Sequence, residues 1–241
     1  MRMKTTIMKK TARTVGAKPL CFEVLTIFPD IFTSYMNESL FKRAQKNKLV
    51  AVRTHNLRDF TDDQKHYKVD DRPFGGGPGM VLKVQPIWAA IKKITQSSSR
   101  KDKVLRKRPR TRTILFSTRG KKLDAAIARR LSRYDRIILI CGRYEGVDER
   151  VAEHIADEEI SIGDYVLSGG EIPALVLMEV VSRHIPGFLG KEESLEEING
   201  SFPTYTRPEV FLPAKGKKWF VPKVLLSGDH KKIGEWRRVK R

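Results

Sequence analysis

Ile138-Leu139-Ile140-Cys141-Gly142-Arg143-Tyr144-Glu145-Gly146 and Ile160-Ser161-Ile162-Gly163-Asp164-Tyr165-Val166-Leu167-Ser168-Gly169-Gly170-Glu171 are two glycine-rich loops, each entered from an apolar, strand-like run. A short buried strand delivers the chain to the carboxyl edge of a sheet, and glycines there let the backbone turn and approach a ligand with no Cβ in the way. Together the loops predict a pocket walled by backbone. Neither is a standard nucleotide motif: no Gly-x-x-x-x-Gly-Lys-[Ser/Thr] phosphate loop occurs, and Gly75 to Met80 breaks the dinucleotide fingerprint at its last position.

Outward from these loops, apolar periodicity switches repeatedly between two and 3.6 residues. Strands are expected at residues 22–28, 49–54, 113–117, 136–141 and 158–161. Helices are expected from residue 30, at 40–47, 85–95, 124–133, 148–156 and 172–184, the last stopped by Pro186-Gly187. Such alternation predicts an α/β domain with a mainly parallel sheet and helices on both faces. Residues 59–81 form a polar, glycine-rich connection too long for a casual turn, which points to a functional loop. Residues 187–216 read as a linker, and Asp229 as the N-cap of a short basic helix running through Lys240.

A chain of 241 residues can bury one substantial core, and its apolar content excludes a disordered chain. No apolar run approaches the roughly 20 residues of a membrane span, so no membrane partner is expected. Cys21, Cys141 and five scattered histidines supply neither zinc spacing nor a disulfide framework, which favours a reducing, cytoplasmic setting. The formal charge is +20, and it is concentrated. Residues 1–20 hold six basic and no acidic side chains, 97–113 hold eight against one, and 214–241 hold ten against two. A nearly neutral remainder carrying three basic segments points to nucleic acid. The first segment reads as an RNA-binding arm, with a transit peptide or a start at Met8 as alternatives.

Val69-Asp70-Asp71-Arg72-Pro73-Phe74-Gly75-Gly76-Gly77-Pro78-Gly79-Met80 and Cys141-Gly142-Arg143-Tyr144-Glu145-Gly146-Val147-Asp148-Glu149-Arg150 resemble the bacterial tRNA (guanine-N1)-methyltransferase family. Residues 161–171, Ser182-Arg183-His184-Ile185-Pro186-Gly187, Tyr205-Thr206-Arg207-Pro208-Glu209 and Leu225-Leu226-Ser227-Gly228-Asp229-His230 resemble further family segments in the same order. The resemblance implies a SPOUT-type α/β fold with a trefoil knot, S-adenosylmethionine as methyl donor, and tRNA as substrate, methylated on the guanine immediately 3′ to the anticodon. It also implies a homodimer whose active sites lie at the subunit interface. The chain then divides into a basic arm at 1–20, a methyltransferase domain at 21–187 with the basic insertion at 97–113, a linker at 188–216, and a short, truncated helical tRNA-binding tail at 217–241.

By the same resemblance, Ser117, Gly142, Ser161, Ile162, Gly163, Asp164, Tyr165, Val166, Leu167, Gly169 and Gly170 form the donor pocket. Guanine N1 carries a weakly acidic proton, so its methylation needs a base and a donor that steadies charge on O6. Arg183 matches the arginine at O6, and read alone it would be a helix C-terminal cation. Glu145 matches a glutamate of the guanine site or of a supporting magnesium ion; no protein metal cluster is expected. The family's aspartate base has no counterpart, because no aspartate occurs between Asp164 and Asp229. Glu196 or Glu197 stands nearby, and Glu197 is the expected substitute. A non-catalytic RNA-binding protein that has lost its base is the alternative reading.

Overall fold

A computed structural model describes residues 18–102, 109–189 and 201–240. The expected arm up to residue 17, residues 103–108 of the basic insertion, and 190–200 with Glu196 and Glu197 lie outside the described residues. The chain divides into two compact units, Met1–Gly190 and Lys191–Arg241.

The first unit is built on five parallel strands in the order β2-β1-β6-β5-β7: β1 (Leu20–Thr26), β2 (Val50–Asn56), β5 (Thr111–Lys122), β6 (Arg136–Ile140) and β7 (Glu158–Ser161). Between them run α1 (Ile31–Met36), α2 (Ser39–Lys46), α3 (Val84–Asp102), α4 (Ala125–Leu131), α5 (Arg150–His154) and α6 (Glu171–Ser182). Strand alternation sorts the core into two layers. Phe22, Val24, Ile137 and Leu139 face a cluster with Phe41, Leu131, Leu177 and Phe188, while Leu25, Ile138 and Ile140 face Ile87, Ile91, Ile94 and Val151. Phe188 is fully buried and meets the Phe41 ring edge-on at 5.3 Å, which pins the chain after the Pro186-Gly187 stop.

Local signals explain some of the element ends. Asp124 caps α4 by accepting a 2.7 Å hydrogen bond from the Ile127 amide, a contact worth about 1 kcal/mol. The helix expected at 85–95 instead runs to Asp102. Its apolar stripe ends at Ile94, which set the expected stop, but nothing from Gln96 to Asp102 breaks a helix. The strand expected at 113–117 continues to Lys122, with a register shift against β7 between Phe116 and Lys121. Gly120 permits this: a Cβ there would lie 2.6 Å from the Glu159 carbonyl carbon.

The long connection holds a 3-10 turn, Leu57–Phe60, and a small antiparallel pair, β3 (Asp70–Asp71) with β4 (Val81–Leu82). That pair closes a loop in which Gly75, Gly76, Gly77 and Gly79 all take positive φ. The expected linker at 188–216 is corrected at both ends, since Phe188 belongs to the first core and β8 (Val210–Ala214) pairs with β9 (Lys217–Phe220) in a hairpin. Its Pro and Gly content masked a ladder that only the partner strand completes. The second unit also holds α7 (Lys223–Leu226) and α8 (His230–Val239), the latter capped by Asp229. Among the described residues no helix is long and apolar enough to cross a membrane.

One polar cluster is set within the sheet. Glu23, almost fully buried on β1, accepts from Arg53 at 2.8 Å and lies 2.7 Å from His55 Nε2. Burial alone would raise its carboxyl, yet the hydrogen bonds from His55 and Cys21 and the charge of Arg53 outweigh that and hold it below the ordinary range. Burial and the neighbouring Glu23 push the Cys21 thiol up to about 12. Because Glu23 binds its proton less readily folded than unfolded, its contribution is complete above the ordinary carboxyl value and is lost as pH falls through the lowered one. Urea midpoints at pH 7 and pH 3 are expected to differ less in Glu23→Gln than in the wild type. An unchanged difference would show that Glu23 does not carry the acid sensitivity.

Candidate functional site

The carboxyl ends of β5, β6 and β7 open into a cavity of about 450 Å³. Three segments wall it: the β5 extension at 115–119, the loop after β6 at 142–149, and the loop from β7 into α6. The first and last walls meet where Gly120 crosses Glu159 and Ile160, and the second and last where Gly142 meets Gly170. The Gly170 amide donates to the Gly142 carbonyl at 2.9 Å, and a Cβ on Gly170 would sit 2.6 Å from Cys141 Cα. A side chain at Gly169 would collide with Arg143 Nε and Glu171 Oε2. The glycines therefore permit two backbones to cross and leave the hollow between them open.

Behind this crossing sits a buried ion pair. Glu171, 1% exposed, accepts from Arg143 Nε at 2.8 Å with one oxygen and from Thr26 Oγ1 at 2.7 Å with the other. Arg143 also lies over the Phe28 ring, 4.7 Å from its centroid. Both carboxylate oxygens are thus occupied, and the Arg143 wall is fixed. Cys141 beside it is fully buried, and burial, then Glu171, holds its thiol well above the ordinary range, which leaves it inert. Tyr144 takes φ +61 in the wall, a left-handed conformation uncommon for an aromatic residue.

Ten of the eleven residues expected at the donor pocket line the cavity: Ser117, Gly142, Ser161, Ile162, Gly163, Tyr165, Val166, Leu167, Gly169 and Gly170. Several of their side chains shape loops instead of presenting groups to a ligand. Ser161 Oγ donates to the Gly163 carbonyl and accepts from the Gly163 amide, and the Tyr165 hydroxyl donates to the Ile162 carbonyl. Asp164 stands apart from the lining, because its carboxylate pairs with Lys122 on the β5 extension. Glu145 lines the cavity and packs on Gly79, tying the glycine-rich loop to the site. Arg183 does not line it; it is the C-cap residue of α6. Glu197 lies outside the described residues.

Sequence reading passed over Arg119, Arg143, Glu149 and Glu159. Arg119 spans the cavity wall, donating to both oxygens of Glu149 at 2.9 and 2.8 Å. A signal for Glu159 existed: on a strand, residue 159 shares a face with Ser161. The Arg143 partnership was hidden, because Glu171 is 28 residues away. Among the described residues no group of three or more metal-ligating side chains is assembled.

This architecture has named relatives. The family model described as tRNA (Guanine-1)-methyltransferase TrmD matches residues 20–241. A tRNA (guanine-N(1)-)-methyltransferase of Ruminiclostridium cellulolyticum is 50% identical over 221 residues, covering 90% of this chain and 88% of the relative. The protein of the same description from Clostridioides difficile is 47% identical over 90% of each chain. The crystal structure of tRNA (m1G37) methyltransferase from Aquifex aeolicus superposes with a TM-score of 0.73 at 42% identity, covering 91% of this chain and 88% of that one. The shared fold is the SPOUT-type α/β fold expected from the motifs. Since the match takes in both compact units and nearly the full length of its relatives, the chain belongs to the tRNA (guanine-N1)-methyltransferase family.

Proposed function

We propose that the chain methylates N1 of the guanine immediately 3′ to the anticodon, tRNA position 37, with S-adenosylmethionine as donor, in the cytoplasm. The observation that carries this reading is the backbone-walled cavity at the β5, β6 and β7 ends of a chain matched to the family along its length. The cavity fits such a donor. Its volume lies within the range of small-molecule sites, and Gly142, Gly169 and Gly170 leave open a cradle that Cβ atoms would fill. Main-chain groups of Ile162 to Leu167 and Gly169 would hold the adenosine, and Asp164, paired to Lys122, would brace that loop from outside. The crossing of Gly142 and Gly170 is where we place the trefoil knot.

The donor supplies an activated methyl group; the protein must manage a proton and a charge. Glu197 is the base we assign to the N1 proton, with Glu196 as its alternative, and Arg183 is the donor assigned to O6, where its planar fork suits the guanine edge. Glu145 is assigned to the guanine site or its supporting magnesium ion. Because Arg183 stands outside the lining of its own chain's cavity, we assign it to the cavity of a second copy in a homodimer. An apolar surface favours such pairing: Ile172 and Val176 on α6, with Tyr165, Val166 and Leu167 in the preceding loop, are all exposed. The basic segments would meet tRNA phosphates.

The test incubates the full chain with labelled S-adenosylmethionine and two anticodon-stem transcripts, one with guanine 3′ to the anticodon and one with adenine. Transfer is expected to the guanine transcript only. Glu197→Gln is expected to slow it about a hundred-fold while leaving transcript affinity unchanged. Tight binding of both transcripts without transfer would overturn the reading in favour of an RNA-binding protein.

A further inference from the structure

In a chain of formal charge +20, the cavity is acidic. Glu145, Glu149 and Glu159 line it against Arg119 and Arg143. Neither cation hydrogen-bonds Glu159: Arg143 is bound by Glu171, and Arg119, bound by both oxygens of Glu149, reaches Glu159 only as a longer ion pair. The closest approach, Arg119 Nη2 to Glu159 Oε2, is 3.9 Å, too long for a hydrogen bond. That oxygen is buried and has no hydrogen-bond partner. Its neighbour in sequence has a different fate: Glu158 accepts from both Arg112 and Arg130. One glutamate of the pair is spent on structure, and the other lines the cavity with one carboxylate oxygen buried and without a hydrogen bond, a costly arrangement unless a ligand compensates.

We propose that Glu159 makes the cavity prefer the positively charged methyl donor over its demethylated product. The inference rests on the donor reading above. In the reaction, the bond from methyl carbon to sulfur breaks as the bond from that carbon to guanine N1 forms, and the N1 proton passes to the base. The sulfonium thereby becomes a neutral thioether, while every other group of the donor is unchanged. Donor and product differ in the cavity by one methyl group and one full positive charge. A carboxylate within the same small cavity, partly shielded from water, attracts the first and is indifferent to the charge lost from the second. Glu159 thus favours loading of donor and release of product.

Calorimetry on the full chain would measure S-adenosylmethionine, S-adenosylhomocysteine, and sinefungin, which carries an ammonium in place of the sulfonium. Glu159→Gln is expected to weaken the two cationic ligands about tenfold and the neutral one less than twofold. Glu159→Asp, which keeps the charge, should keep the preference. Arg119→Gln should widen it, and added salt should narrow it in the wild type. Equal weakening of all three ligands would assign Glu159 to a part common to donor and product and overturn the proposal, as would no change at all. If Glu159→Gln does not fold, a wild-type preference indifferent to salt and to Arg119→Gln overturns it equally. Failure of the wild type to bind any of the three would instead overturn the donor reading.

Discussion

Gly170→Ala is expected to abolish donor binding and to lower the thermal midpoint by roughly 2–12 °C, the effect of an overpacking cost of about 1–3 kcal/mol in a domain of this size. The added methyl would sit 2.6 Å from Cys141 Cα and 3.0 Å from the Gly142 amide nitrogen. Both obstacles are backbone. A crowded side chain can rotate away, but Cys141 is buried at the end of the central strand β6, and the Gly142 carbonyl is held by the Gly170 amide itself. Relief must come from separating the loops, which opens the cavity wall and pulls on the Arg143–Glu171 pair behind it. Gly234→Ala in α8, where an added Cβ meets nothing within 4 Å, is the control and is expected to leave donor affinity unchanged. Calorimetric titration with S-adenosylmethionine and a thermal melt decide the matter. Normal donor affinity in Gly170→Ala would mean that the crossing does not shape the pocket.

This expectation could be framed from the sequence only in part. The run of glycines after two apolar strands showed that backbone would form a site, and the family resemblance named ten of the residues that line it. Which glycine touches which backbone was not legible, because the contact joins positions 142 and 170 through the path of the intervening chain. The strand alternation that sorts Ile137 from Ile138 into different core layers is local and was readable. By contrast, the extension of β5 past Phe116 depends on β7 lying close enough to pair with Lys121 and Lys122. The charges follow the same division. Asp124 and Asp229 cap their helices through amides two or three residues away, and the sequence marked Asp229 as such a cap. Glu171, Glu23 and Glu159 take their meaning from partners, or from the lack of one, that only the fold assembles.

Arg183 carries the second large effect: Arg183→Ala is expected to slow methyl transfer about a thousand-fold while leaving donor affinity within twofold of wild type. The donor cavity is complete without it, so binding should not notice its loss. Charge developing on guanine O6 would be left without its donor, so the transfer rate should. A sharper experiment asks which cavity the arginine serves. Gly169→Val puts a side chain into Arg143 Nε and Glu171 Oε2 and is expected to disable the donor pocket of its own chain. In the homodimer proposed above, its co-expression under different tags with Arg183→Ala would give mixed dimers in which one cavity combines the intact pocket of one copy with the intact Arg183 of the other. The second cavity then holds both lesions. Each variant alone should be inactive, and the doubly purified mixed dimer should recover about half of the wild-type rate, because one of its two sites is whole. An inactive mixed dimer would return Arg183 to the cavity of its own chain. The position of Arg183 at the end of α6, off the lining and on the helix that exposes Ile172 and Val176, argues for recovery.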